Sequence, residues 1–141
     1  MVVKKHLIED LLKQLDTILE ELSKYKGRPQ EDIAGSLSLR WTVERGLIAA
    51  ATVTFDVLDH IVSAVFGIYP ETYEETIQAA FQKGVLSEPL YQEMKGLGGF
   101  RNVLVHEYAK VDLRQLCEGL QRALRVFPMF SREIQSWLDV K

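Results

Sequence analysis

Arg101 is followed directly by Asn102, then by three apolar residues, then by His106 and, two positions on, Tyr108. An arginine and a histidine at this spacing could carry out transesterification of RNA. A base takes the proton of a ribose 2′-OH, the oxygen attacks the adjacent phosphorus, and an acid protonates the departing 5′-oxygen. Histidine has the unperturbed pKa best suited to both proton transfers near neutral pH. The planar guanidinium fork of Arg101 matches phosphate oxygens and stabilises charge on the pentacoordinate transition state. Asn102 could orient the histidine or donate to phosphate.

On a helix, with about 100° per residue, Asn102 and His106 lie about 40° apart on one face. Val103, Leu104 and Val105 turn away and can be buried. Arg101 is offset by about 140° from His106, so its side chain must wrap round, or a second subunit must close the gap. Tyr108 falls nearly opposite His106 unless the helix loosens there. Arg101 would lower the histidine's pKa and a helix C-terminus would raise it, so the net direction stays open. A single histidine is also awkward for a reaction that needs both a base and an acid. A two-fold dimer would bring two into one cleft.

Just upstream, Gly96, Gly98 and Gly99 each cost up to about 1 kcal/mol relative to alanine inside a helix. Two readings fit them: a break before a new helix, or close approach of another backbone or a ligand. Charge is uneven as well. The chain carries a net charge of −3, yet from position 95 to 125 six basic residues (Lys95, Arg101, Lys110, Arg114, Arg122, Arg125) face three acidic ones. Such a segment would steer a polyanion towards it, unless its charges simply lie on solvated helix faces. Lys110 is the cation in the segment nearest to His106. Arg40 is a further cation that could reach an RNA cleft, although Arg40, Glu44 and Arg45 have the spacing of surface ion pairs.

Other candidates carry less. Asp56 and His60 stand i, i+4 with Asp59 beside them, a spacing that could hold a metal but suits an ion pair or a hydrogen bond better. His6 has no evident partner, and Cys117 falls on the apolar side of the last helix as an inert thiol. Trp41, Tyr69 and Tyr73 suit core or interface packing better than base stacking. There is no phosphate loop and no nucleophile elbow.

The elements that must position these residues read as helices. Leu7, Ile8, Leu11, Leu12, Leu15, Ile18, Leu19 and Leu22 recur at helical spacing until Gly27 and Pro29. A long helix is expected over about 30–66, with Leu37, Trp41, Leu47, Ile48, Ala51, Phe55, Leu58, Val62 and Val65 as its stripe. Its second half is apolar nearly all round, as a central helix should be. Thr72 with Glu75, and Asp112 with Gln115, have capping-box spacing, and Ser87-Glu88-Pro89 opens another helix between them. Pro128 should kink the last helix. The stretch 103–105 alone would also suit a buried strand.

At 141 residues, 47% hydrophobic and 26% charged, the chain is long enough for one core and reads as a single domain over 1–141. One cysteine excludes an internal disulfide and a cysteine-based zinc cluster. Early charges argue against a secretory leader, and the longest uncharged runs, 46–55 and 61–70, are too short to span a bilayer. These features describe a soluble, cytoplasmic, all-α bundle of about five helices, with no membrane partner.

Residues 101–113 resemble a known family. Arg101, His106 and Tyr108 match the Arg-x4-His-x-Tyr signature of HepT-like toxins, within the HEPN superfamily of all-α ribonucleases. Trp41 and Val43-Glu44-Arg45-Gly46-Leu47 resemble that family's second helix. Gly67-Ile68-Tyr69-Pro70-Glu71-Thr72-Tyr73 resembles its linker into the third, and Val111-Asp112-Leu113 the start of its last. The resemblance implies an antiparallel helical bundle, paired as a two-fold homodimer with both motifs facing one cleft, and a metal-independent endoribonuclease that needs no cofactor. It further implies an MntA-type nucleotidyltransferase antitoxin that transfers AMP to the motif tyrosine. Residue by residue, Arg101 and His106 are then catalytic, Asn102 assists, and Tyr108 is modified. An AMP there would set a bulky anion near Arg101 and His106 and repel RNA. Two other functions fit the same residues: a non-catalytic nucleotide- or substrate-binding subunit of a small nucleotidyltransferase, or a purely structural helical dimer.

Overall fold

The computed structural model describes residues 3–106 and 112–140. Among them are seven helices and no strand: α1 (Lys5–Ser23), α2 (Gln30–Ala34), α3 (Leu37–Phe66), α4 (Tyr73–Gln82), α5 (Glu88–Met94), α6 (Leu97–His106) and α7 (Leu113–Asp139). The stretch 103–105 is helical, part of α6. The helix expected from position 30 is instead two. Gly35 ends the short α2, and the Ser36 hydroxyl accepts from the Leu39 N–H to cap α3 afresh. The long apolar stripe masked that break.

α3 is the centre. It packs against α1, α2, α4, α6 and α7, and buries residues from Val43 to Val62 on several sides. By length and composition it could cross a membrane, but half of its most apolar window is buried by the other helices, as for a core helix. Gly67 closes it in the left-handed conformation (φ 66°), and the Ile68 N–H returns to the Val62 carbonyl. α1 buries Ile8, Leu12, Leu15, Leu19 and Leu22 against α3 and α7. Each such side chain contributes roughly 1.5–3 kcal/mol relative to exposure.

The first turns of α3 depart from the expected stripe. Leu37 and Trp41 are exposed, Trp41 by 62%. Burial begins at Val43, where α1 first covers α3 through contacts such as Leu22 on Gly46.

The Asp112–Gln115 capping box is complete, with the Asp112 carboxylate accepting from Gln115 N–H at 2.7 Å. At Thr72 the cap is half as expected. Thr72 accepts from Glu75 N–H, while the Glu75 carboxylate accepts from Glu71 N–H rather than from Thr72. Helix α7 continues through Pro128. It is tied to the α5 end of the bundle by Glu133, which accepts from the Ser87 N–H and hydroxyl, and by Arg125, 2.5 Å from Glu93.

Candidate active site

α6 carries Arg101, Asn102 and His106. It begins at a break, where Gly96 takes a left-handed conformation (φ 85°) after α5. Both readings of the glycines hold, at different positions. Gly96 makes the turn. Gly98 is the close approach: a Cβ there would stand 2.5 Å from Cβ of Tyr73 on α4. Gly99 faces open space.

The start of α6 is held from α4 by Glu74. Its carboxylate accepts the Gly98 N–H at 3.1 Å and the Gly96 N–H at 3.3 Å. Helix-start N–H groups lack intrahelical acceptors, and a carboxylate beside them also meets the positive end of the helix dipole.

Within α6, Leu104 is buried, while Asn102 and His106 are exposed one turn apart. That is the shared face expected from their spacing. Arg101 points elsewhere. It is half-buried, its guanidinium carbon lies 5.1 Å from the centre of the Tyr73 ring, and its Nε is buried with no hydrogen-bond partner among the described residues. Tyr73 in turn stacks on buried Phe55 of α3, with ring centres 4.3 Å apart. Asp56, next along α3, has its carboxyl raised by burial and by the charge of Asp59, and lowered in part by Arg101. The single chain therefore brings Asn102 and His106 together and directs Arg101 to Tyr73, near Asp56. Tyr108 and Lys110 lie outside the described residues.

Arg40 pairs with Glu44 at 2.8 Å, as its spacing suggests. The Asp56–His60 pair does not form. His60 Nε2 accepts the backbone N–H of Lys4 at 3.2 Å, and Asp59 accepts from the Thr76 hydroxyl. Among the described residues no group of three or more metal-ligating side chains is close enough to hold an ion. His6 has Asp10 one turn on, at 3.6 Å, a partner its surroundings in sequence did hold. Cys117 is half-buried, and burial raises its thiol.

The basic segment is less available than its charge count suggests. Arg122 donates to the Glu93 and Lys95 carbonyls that end α5, Arg125 pairs with Glu93, Arg114 lies 3.5 Å from Glu118, and Lys95 sits over the Tyr91 ring. Arg122 and Arg125 fasten helices together rather than wait for a polyanion.

Sequence reasoning gave Tyr73 a packing role but did not show that it and Glu74 adjoin Arg101 and the start of α6. Their link to Arg101 and Gly98 joins positions more than twenty apart, and no local pattern encodes it. The one hint was Gly98 itself, a residue small enough for another element to touch.

Comparison with known proteins supplies the family. The family described as Ribonuclease HepT-like matches residues 15–134. The tRNA nuclease HepT of Aphanizomenon flos-aquae is 28% identical over 132 residues, covering 94% of this chain and 90% of that protein. The tri-AMPylated HEPN toxin of Shewanella oneidensis, solved in complex with an MNT antitoxin, shares the fold at a TM-score of 0.82. It is 19% identical, covering 92% of this chain and 96% of the toxin. The cytosolic protein YutE of Bacillus subtilis has a TM-score of 0.84 at 18% identity, with 98% and 92% covered. With its match over residues 15–134, the chain belongs to the Ribonuclease HepT-like family.

Proposed function

We propose that the protein is a metal-independent endoribonuclease, the toxin of a toxin–antitoxin pair. The observation that carries this reading is α6 itself: an exposed Asn102–His106 face, with Arg101 of the same helix held against Tyr73, in a chain of this family. The similarity to a tRNA nuclease points to tRNA as the RNA substrate. His106 takes the 2′-OH proton, and Arg101 stabilises the pentacoordinate phosphorus. His106 of the second protomer in a two-fold dimer protonates the leaving 5′-oxygen, and Asn102, Arg40 and Lys110 help to hold the RNA. The Shewanella toxin, AMPylated and bound to an MNT antitoxin, supports an MntA-type nucleotidyltransferase as the partner here, with Tyr108 as the residue that receives AMP. Such a pair would act in the cytoplasm, and YutE, similar in fold, is cytosolic.

Purified protein should cut tRNA in EDTA and leave 2′,3′-cyclic phosphate ends. A 2′-deoxy substitution at the cut site should block the reaction. His106→Ala should lower the rate by about 10²–10⁴-fold, the usual contribution of a positioned acid or base. A variant that cuts at the wild-type rate would remove His106 from the mechanism. Nucleotide binding with no cleavage by the wild type would favour the accessory-subunit reading instead.

A further inference from the structure

The Arg101 guanidinium has one described ring contact and a buried Nε with no hydrogen-bond partner. A guanidinium normally gains its orientation from paired donors on a carboxylate or phosphate. Here the face of Tyr73 stands where such a partner would be. The ring is itself fixed, since Phe55 stacks behind it at 4.3 Å and is almost fully buried. The approach of α4 to α6 is fixed as well. Gly98 has no Cβ where Tyr73 Cβ needs the space, and Glu74, the next residue, holds the Gly96 and Gly98 N–H groups.

We infer that Tyr73 is a positioning residue of the reaction: its ring, seated by the Glu74 grip on α6, is the platform that aims the Arg101 guanidinium at the scissile phosphate. The inference rests on the proposed role of Arg101. A cation over a ring face is attracted by the ring quadrupole, and this contact uses none of the N–H donors, so the outer guanidinium nitrogens can still bind an anion. The ring and not the hydroxyl is the working part. Asp56 and Asp59 are the competing anchors on α3. The Asp56 carboxyl is influenced by Arg101, but no hydrogen bond joins the two among the described residues.

The test compares Arg101→Ala, Tyr73→Phe and Tyr73→Met in the RNA cleavage assay, with helicity and melting followed for each. Tyr73→Phe should keep kcat within about twofold of wild type, because the face is retained. Tyr73→Met, which fills similar space without a ring, should lower kcat by about 10²-fold with KM little changed, the usual cost of a reacting group misplaced by about 1 Å. A folded Tyr73→Met that cuts like wild type, alongside an inactive Arg101→Ala, would overturn the platform and leave the nuclease reading intact. An Arg101→Ala that cuts like wild type would remove the nuclease role of Arg101 itself. Should Tyr73→Met fail to fold, wild-type protein decides by NMR. The Arg101 side-chain protons, assigned with Arg101→Lys, should be shifted upfield by the ring current, and resonances at ordinary positions would refute the contact.

Discussion

Arg101 and His106 leave the same helix towards different surroundings, and that difference governs what each contributes. His106 and Asn102 face solvent, where RNA can reach them, while Arg101 lies against Tyr73 with the Asp56 charge near by. Residue types and spacing were enough to single out the first three. They could not show that Arg101 faces a wall built from α3 and α4, because that wall comes from distant positions. Asp56 gives a test of its electrostatics. Burial and the neighbouring Asp59 hold its carboxyl above the ordinary value, with Arg101 drawing it part of the way back. A carboxyl raised in the folded state contributes stability in full below its unfolded pKa, and loses it as pH rises through the folded pKa. At neutral pH the ionised group is therefore a net cost. Asp56→Asn should stabilise the protein at pH 7 by on the order of a few tenths of a kcal/mol, since solvent screens an exposed carboxylate. The gain should fade as pH falls through the raised folded pKa and be gone below the unfolded value of about 4. Urea titrations at pH 7 and pH 3 read this directly, and an equal gain at both would exclude the carboxylate charge as its source.

At the scale of the element, α6 is seated by three devices: the Gly96 turn, the Gly98 contact and the Glu74 carboxylate. The adjacent glycines make a controlled comparison. Gly98→Ala forces a Cβ to within 2.5 Å of Tyr73 Cβ, so α4 and α6 must separate. Overpacking of this kind costs about 1–3 kcal/mol, and it should lower RNA cleavage by disturbing Arg101. Gly99→Ala meets nothing within 4 Å and gains helix propensity, so it should stabilise by up to about 1 kcal/mol. Thermal melts of the two variants settle the matter, and a Gly98→Ala as stable as Gly99→Ala would mean that the helices do not touch there. Helix starts were legible because caps are local. Thr72, Ser87 and Asp112 each accept from an N–H three residues on. The break at Gly35 was not legible, since the apolar stripe continues across it and only packing shows that Leu37 and Trp41 face outwards.

For the whole molecule, the all-α class followed from periodicity, but charge totals misled. Four of the basic residues between positions 95 and 125 are engaged with neighbouring groups of the bundle, so the net +3 of that segment overstates its pull on RNA. The exposed α6 face is open to recognition, and its geometry bears on how two protomers would share the work. α6 is helical from Leu97 to His106, so Arg101 and His106 of one chain are separated by about 140° around its axis. In the proposed two-fold dimer both motifs face one cleft, with His106 of one protomer as base and His106 of the other as acid, so each cut needs both histidines. A wild-type chain should therefore not rescue a His106→Ala chain paired with it. Random exchange of equal amounts makes about half of the dimers mixed and about a quarter wild type, so cleavage should fall to about a quarter of that of the same total of wild type. The two chains unfolded together and refolded as a mixture would show this in the RNA assay. Activity near one half would mean that each histidine works in a centre of its own, without the partner's.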